Sequence, residues 1–137
     1  MRLGIVASRF NEEIAAELLK RAQDAARDLG IETTALSVPG ALEIPLALQW
    51  MARTGRFQAL AALGVVIRGE THHFEIVANE SAHGVMAVSL DCGLPIANGI
   101  LTTEDEAQAT ARLDKGAEAV RVAVEMARLK ERMHENR

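Results

Sequence analysis

Nine apolar residues in succession, Ala59 to Ile67, end abruptly at Arg68-Gly69. The run shows no alternation of polar and apolar positions, so it cannot be a strand with one face in water. It is half the length of a membrane span. Its natural place is the middle of a parallel sheet, covered on both faces. Parallel neighbours require crossover connections, so helices must precede and follow the run.

The rest of the chain supplies them. Residues 3–7 form a second short apolar run, followed by a helical pattern over 12–29. Ala15, Leu18, Ala22, Ala25 and Leu29 recur there at helical spacing, with Asn11 as N-cap and Gly30 as the stop. A strand over 32–38 is broken by Pro39-Gly40. A helix over 41–54 then takes Pro45 in its first turn and ends at Gly55. After the central run, residues 73–92 read as a long helix stopped by Gly93 and Pro95, and 95–101 as the last strand. Thr102-Thr103-Glu104-Asp105 is a helix-start signature for a short helix reaching Leu113. Asp114-Lys115-Gly116 is read as a turn, and the final helix as running to about Met133, with 134–137 frayed. Strand and helix thus alternate four times. The expected fold is a single α/β domain over 1–137, a flavodoxin-like three-layer sandwich with a four-stranded parallel sheet and helices on both faces.

Composition narrows the function. With 15 basic and 19 acidic residues the net charge is −4, and no basic block appears, which argues against nucleic acid as a partner. One cysteine, Cys92, leaves no intrachain disulfide and fits a reducing cytoplasm. No run is long enough to cross a membrane. Met1-Arg2 leads directly into the first strand without room for a signal peptide.

Ligands of such sheets bind beyond the carboxyl ends of the strands. That rule gathers residues 8–11, 38–43, 68–73 and 102–105 on one edge. Gly69, Glu70 and Thr71 lie between a buried strand and a helix start, where a close backbone and free N–H groups suit a phosphate. His72 and His73 stand at the same helix mouth, where an imidazole could move protons. Phe10 offers either a stacking surface for a planar heterocycle or a hydrophobic staple for the first helix. Glu43 is either a helix-start carboxylate or a ligand for substrate hydroxyls. Arg112 and Lys115 are ordinary solvated charges unless one provides a second contact to a bound phosphate. The histidines lack partners at metal-ligand spacing, apart from His72 and Glu75, so no metal site is expected. Cys92 lies at a helix C-terminus, the wrong end to stabilise a thiolate.

Five segments carry a family resemblance: Ser8-Arg9-Phe10-Asn11, the run from Val38 to Pro45, the run from Ile67 to Glu75, Asn79-Glu80, and the run from Gly99 to Glu104. In order and spacing they resemble the 6,7-dimethyl-8-ribityllumazine synthase family. The resemblance implies condensation of 5-amino-6-ribitylaminouracil with 3,4-dihydroxy-2-butanone 4-phosphate, the penultimate step of riboflavin biosynthesis, without cofactor or metal. It implies that Phe10 stacks on the pyrimidine and that Glu43, with the Gly40-Ala41 backbone, holds the ribityl chain. The Val66-Ile67 backbone would read the pyrimidine edge, and Gly69, Glu70 and Thr71 would bind phosphate. Arg112 would clamp that phosphate from a neighbouring subunit, and His73 would transfer protons with His72 in support. Asn98 departs from the family pattern: many relatives carry Phe there, so the second wall of the ring slot is expected to be polar.

The last helix points to self-association. Glu118, Arg121, Glu125, Arg128 and Arg132 form one narrow polar stripe. Ala119, Val122, Met126, Leu129 and Met133 flank it on one side, and Ala117, Val120, Ala123, Val124 and Ala127 on the other. Such a wide apolar arc exceeds what one sheet face covers. With the resemblance, this gives an expected homopentamer, singly or paired as a decamer, with active sites between subunits and a functional link to riboflavin synthase. The short start before the first strand and the short 113–115 turn argue against an icosahedral shell. Two other readings of the same fold are a riboflavin- or FMN-binding module without turnover and a structural scaffold.

Overall fold

The apolar run becomes an interior strand of the sheet. In the computed structural model, which describes residues 1–135, four parallel strands are ordered β2-β1-β3-β4. They are β1 (Arg2–Ser8), β2 (Glu32–Val38), β3 (Ala59–Ile67) and β4 (Ile96–Thr103). The helices are α1 (Glu12–Asp28), α2 (Ile44–Arg53), α3 (His73–Cys92), α4 (Glu106–Thr110) and α5 (Lys115–Glu135), with a 3-10 turn at Ala41–Glu43 before α2. This is the flavodoxin-like three-layer arrangement.

Side-chain alternation along the strands divides the core in two. Leu3, Ile5 and Ala7 of β1, with Ala61, Leu63 and Val65 of β3, pack on α1 and α5. Val6, Leu60, Ala62 and Val66 pack on α2 and α3. Only β1 and β3 are buried on both faces. The edge strand β2 leaves Thr34, Ala35, Leu36 and Ser37 exposed, an unusual amount of open surface for a parallel sheet.

Local signals set most boundaries. The α3 helix stops where Gly93 turns left-handed at φ 60, a conformation other residues seldom adopt. Other expectations are corrected by contacts between elements. Asn11 precedes α1 in the left-handed region at φ 62, but its side chain does not cap the helix. Its backbone is not the extended one of a capping residue, and its Nδ2 instead donates to the Val65 carbonyl of β3 at 3.2 Å. Leu29 is exposed at the end of α1, so the buried face of that helix is completed by Ala26.

Thr102 and Thr103 extend β4 instead of starting a helix, pairing with Val66 and Ile67. The cap is Asp105, whose carboxylate accepts from the Gln108 N–H at 2.8 Å. Gly116 is not a turn residue. It lies buried in the first turn of α5, where an added Cβ would stand 2.3 Å from the Leu18 carbonyl oxygen of α1. A glycine was needed there for close helix packing, which its sequence neighbours do not reveal. The final helix continues through His134 to Glu135, where fraying was expected, while Asn136 and Arg137 lie outside the described residues.

Candidate active site

The strand order reverses between β1 and β3, and the loops leaving these two strands separate there. A cavity of about 410 Å³ opens at that point. Phe10 enters from the loop after β1, Pro39 to Glu43 from the loop after β2, and Val65, Val66 and Ile67 from the end of β3. Gly69, Thr71, His73, Phe74 and Val77 complete the lining from the 68–72 loop and the start of α3. The volume suits a small heterocycle with a polar tail.

Phe10 is 70% exposed, so its ring is not a staple packed into α1. An apolar ring held at a cavity mouth is an available stacking surface. Gly40 stands close to Glu43: a Cβ there would lie 3.2 Å from a Glu43 carboxylate oxygen. Backbone and carboxylate therefore face the same part of the cavity. At Gly69 the space is open, with no protein atom within 4 Å of where a Cβ would be, and its φ lies outside the left-handed region. The backbone does not require glycine at this position; the empty space beside it does the work of admitting a ligand.

Thr71 links this loop to the helix. Its hydroxyl oxygen accepts from the His73 N–H at 3.3 Å, which leaves the hydroxyl proton available to donate to an anion. Just before the loop, the Arg68 guanidinium hydrogen-bonds Glu75 and pairs with Glu104 at 2.8 Å, stacked 4.4 Å above the Phe74 ring. These hydrogen bonds raise the Arg68 pKa further and hold the Glu75 carboxyl below the usual carboxylate range. Arg68 is thus committed to two carboxylates. Among the described residues, no lysine or arginine lines the cavity.

Three of the residues expected at the site lie elsewhere in the single chain. Glu70 is exposed beyond the lining. Asn98 is exposed on the edge strand β4, and its side-chain oxygen accepts from the Ile100 N–H at 2.9 Å. Arg112 lines a separate cavity with Thr102, Asp114, Lys115 and Glu118, and donates to the Gln108 carbonyl at 2.9 Å. The two cavities share no lining residue.

The sequence points to Asn11 only as a helix cap and gives Arg68 and Phe74 no individual role. An arginine ending a buried strand, with a glutamate seven residues on in the first turn of the next helix, is a signal that could have flagged the Arg68–Glu75 pair. Among the described residues no three histidine, cysteine or acidic side chains are grouped to hold a metal ion.

The model of the 6,7-dimethyl-8-ribityllumazine synthase family matches residues 1–131. The chain belongs to that family. Proteins bearing the family name resemble it along most of their length. One from Azoarcus sp. (strain BH72) is 53% identical over 94% of this chain and 85% of its own. A relative from Cupriavidus pinatubonensis is 54% identical, covering 94% and 80%. Another from Burkholderia cenocepacia is 55% identical, covering 94% and 78%. As a lumazine synthase the chain is a transferase of riboflavin biosynthesis acting on small molecules. No helix among the described residues is long and apolar enough to cross a membrane.

Proposed function

We propose that the cavity between β1 and β3 is where the chain forms 6,7-dimethyl-8-ribityllumazine from 5-amino-6-ribitylaminouracil and 3,4-dihydroxy-2-butanone 4-phosphate. The carrying observation is that Phe10, Gly40, Ala41, Glu43, Val66, Ile67, Gly69, Thr71 and His73 line one cavity, although they come from three segments of the chain.

Each group has a task that suits its surroundings. Phe10 stacks on the pyrimidine while the Val66-Ile67 backbone meets its polar edge. Glu43 and the Gly40-Ala41 backbone hold the ribityl hydroxyls. Gly69 and Thr71, with Glu70 at the rim, hold the phosphate beside the first turn of α3. The amine of the uracil adds to the butanone carbonyl and water leaves, giving an imine. Loss of phosphate then leaves a carbonyl beside the imine carbon, and closure of the ring by the ribitylamino nitrogen onto that carbonyl releases a second water. His73 lines the same cavity, which supports its role in passing protons in these steps. Holding two substrates in register supplies much of the acceleration.

The site calls for a partner subunit. A phosphate bound beside Glu70, Glu75 and Glu104 needs a free cation, and Arg68 is already occupied. Arg112 lies in the second cavity, so its proposed role is to reach the phosphate of an adjoining protomer. Asn98, exposed on the edge strand, has the proposed role of meeting the ring from an adjoining protomer. Exposed Val122, Met126 and Leu129 on α5, Leu46 and Trp50 on α2, and the open strand β2 support burial against further copies. The proposed assembly is a ring-shaped homopentamer, alone or paired as a decamer. The whole chain acts as one domain in the cytoplasm and supplies its product to riboflavin synthase.

Purified protein incubated with both substrates should produce the fluorescence of the lumazine product. No product at any ratio of the two would refute the assignment. The riboflavin-binding and scaffold readings both require that negative result.

A further inference from the structure

Residues 69–72 form a short loop that the phosphate must find already in place. Within it, one side-chain bond is present, from the His73 N–H to the Thr71 hydroxyl oxygen. Gly69 has open space where a side chain would be, and Glu70 is exposed. The order of the loop must therefore come from its ends. We propose that Arg68 is a positioning residue that holds this loop for the phosphorylated substrate by joining Glu75 of α3 to Glu104 beyond β4.

Four contacts converge on Arg68. Its backbone N–H donates to the Thr103 carbonyl at 2.9 Å, continuing the β3–β4 ladder one residue past Ile67. Its Nε pairs with Glu104 at 2.8 Å, and its Nη1 hydrogen-bonds Glu75. Its planar face lies 4.4 Å over Phe74, which itself lines the cavity. The guanidinium thereby spans three elements: the end of β3, the first turn of α3 and the segment following β4. One planar group with donors on separate edges can satisfy two carboxylates at once; a lysine ammonium on a flexible stem holds that geometry poorly. The same contacts argue against direct phosphate binding, because two donor groups are taken and two carboxylates offset the charge.

The inference rests on the reading of residues 69–71 as the phosphate site, and the experiment separates the two. In the unaltered enzyme, inorganic phosphate should compete with dihydroxybutanone phosphate; absence of competition would remove the phosphate reading and this proposal together. In Arg68→Gln, the KM for dihydroxybutanone phosphate and the inhibition constant for inorganic phosphate should rise together by about tenfold, as expected for a site held slightly out of place. The KM for the pyrimidine should stay within about twofold. Glu104→Gln should show the same split at smaller size and stands in for Arg68→Gln if that variant does not fold. Arg68→Lys should recover only part of the loss. The proposal is overturned if Arg68→Gln leaves both phosphate constants unchanged, or if both substrates suffer equally as the melting temperature falls. Full recovery in Arg68→Lys would also overturn it.

Discussion

If Arg112 serves the site of an adjoining protomer, two separately impaired variants should repair each other. Within one chain Arg112 and the anion loop lie in cavities without a shared residue. Deleting a hydrogen bond to a charged group costs about 1.5–3 kcal/mol. At 1.4 kcal/mol per decade, Arg112→Ala should raise the KM for dihydroxybutanone phosphate by roughly ten- to 150-fold. His73→Ala damages the other half of the site. In rings where the two variants mix at random in equal numbers, about a quarter of the sites pair an intact His73 with an intact Arg112. Activity at low dihydroxybutanone phosphate should therefore rise towards a quarter of the unaltered value, well above either parent. The assay is co-expression of the two variants under different tags, purification of rings carrying both, and lumazine formation under those conditions. If Arg112 acts within its own chain, no site in any mixture is intact. Hybrid rings no more active than the mean of the two parents would refute the reasoning.

Three further outcomes follow from particular residues. His73→Ala alone should slow single-turnover product formation by about a hundredfold or less, at the low end for a proton-transfer group, because substrate positioning survives; an unchanged rate would remove His73 from the chemistry. Met126→Glu places a charge on an exposed apolar face of α5 and should shift the mass measured by light scattering from a ring towards single chains, with circular dichroism unaltered. Assembly that persists unchanged would show that this face remains open. Gly116→Ala sets two effects against each other: the helix gains about 1 kcal/mol of propensity, but a Cβ 2.3 Å from the Leu18 carbonyl oxygen must push α1 and α5 apart. Backbone overlap cannot be relieved by a rotamer change, and overpacking costs about 1–3 kcal/mol, so urea denaturation should show net destabilisation. A stabilised variant would mean that the two helices separate freely.

The chain determined its elements wherever the deciding interaction is local. The continuous apolar run Ala59–Ile67 had to be a strand shielded on both sides, and Gly93 had to end α3, since it turns left-handed one residue beyond Cys92. The spacing of strands and helices then selected the parallel sandwich, and the carboxyl-edge rule selected four loops, of which those at 8–11, 38–43 and 68–73 meet at the cavity and that at 102–105 does not. Tertiary structure decided what those loops do to one another. Asn11 gives up its capping role for the Val65 carbonyl, Arg68 joins carboxylates from two other segments, and Gly116 makes room for the backbone of α1. It also decided that Ala119 turns inward while Val122, Met126 and Leu129 remain uncovered, a division that the stripe of charges on α5 left open. The reason is range: capping, turn conformation and periodicity act within a few residues, whereas a side chain's partner across the fold depends on how separate elements come to lie against each other. Arg112 is the furthest case, because its place in the second cavity leaves its proposed partner beyond a single copy of the chain.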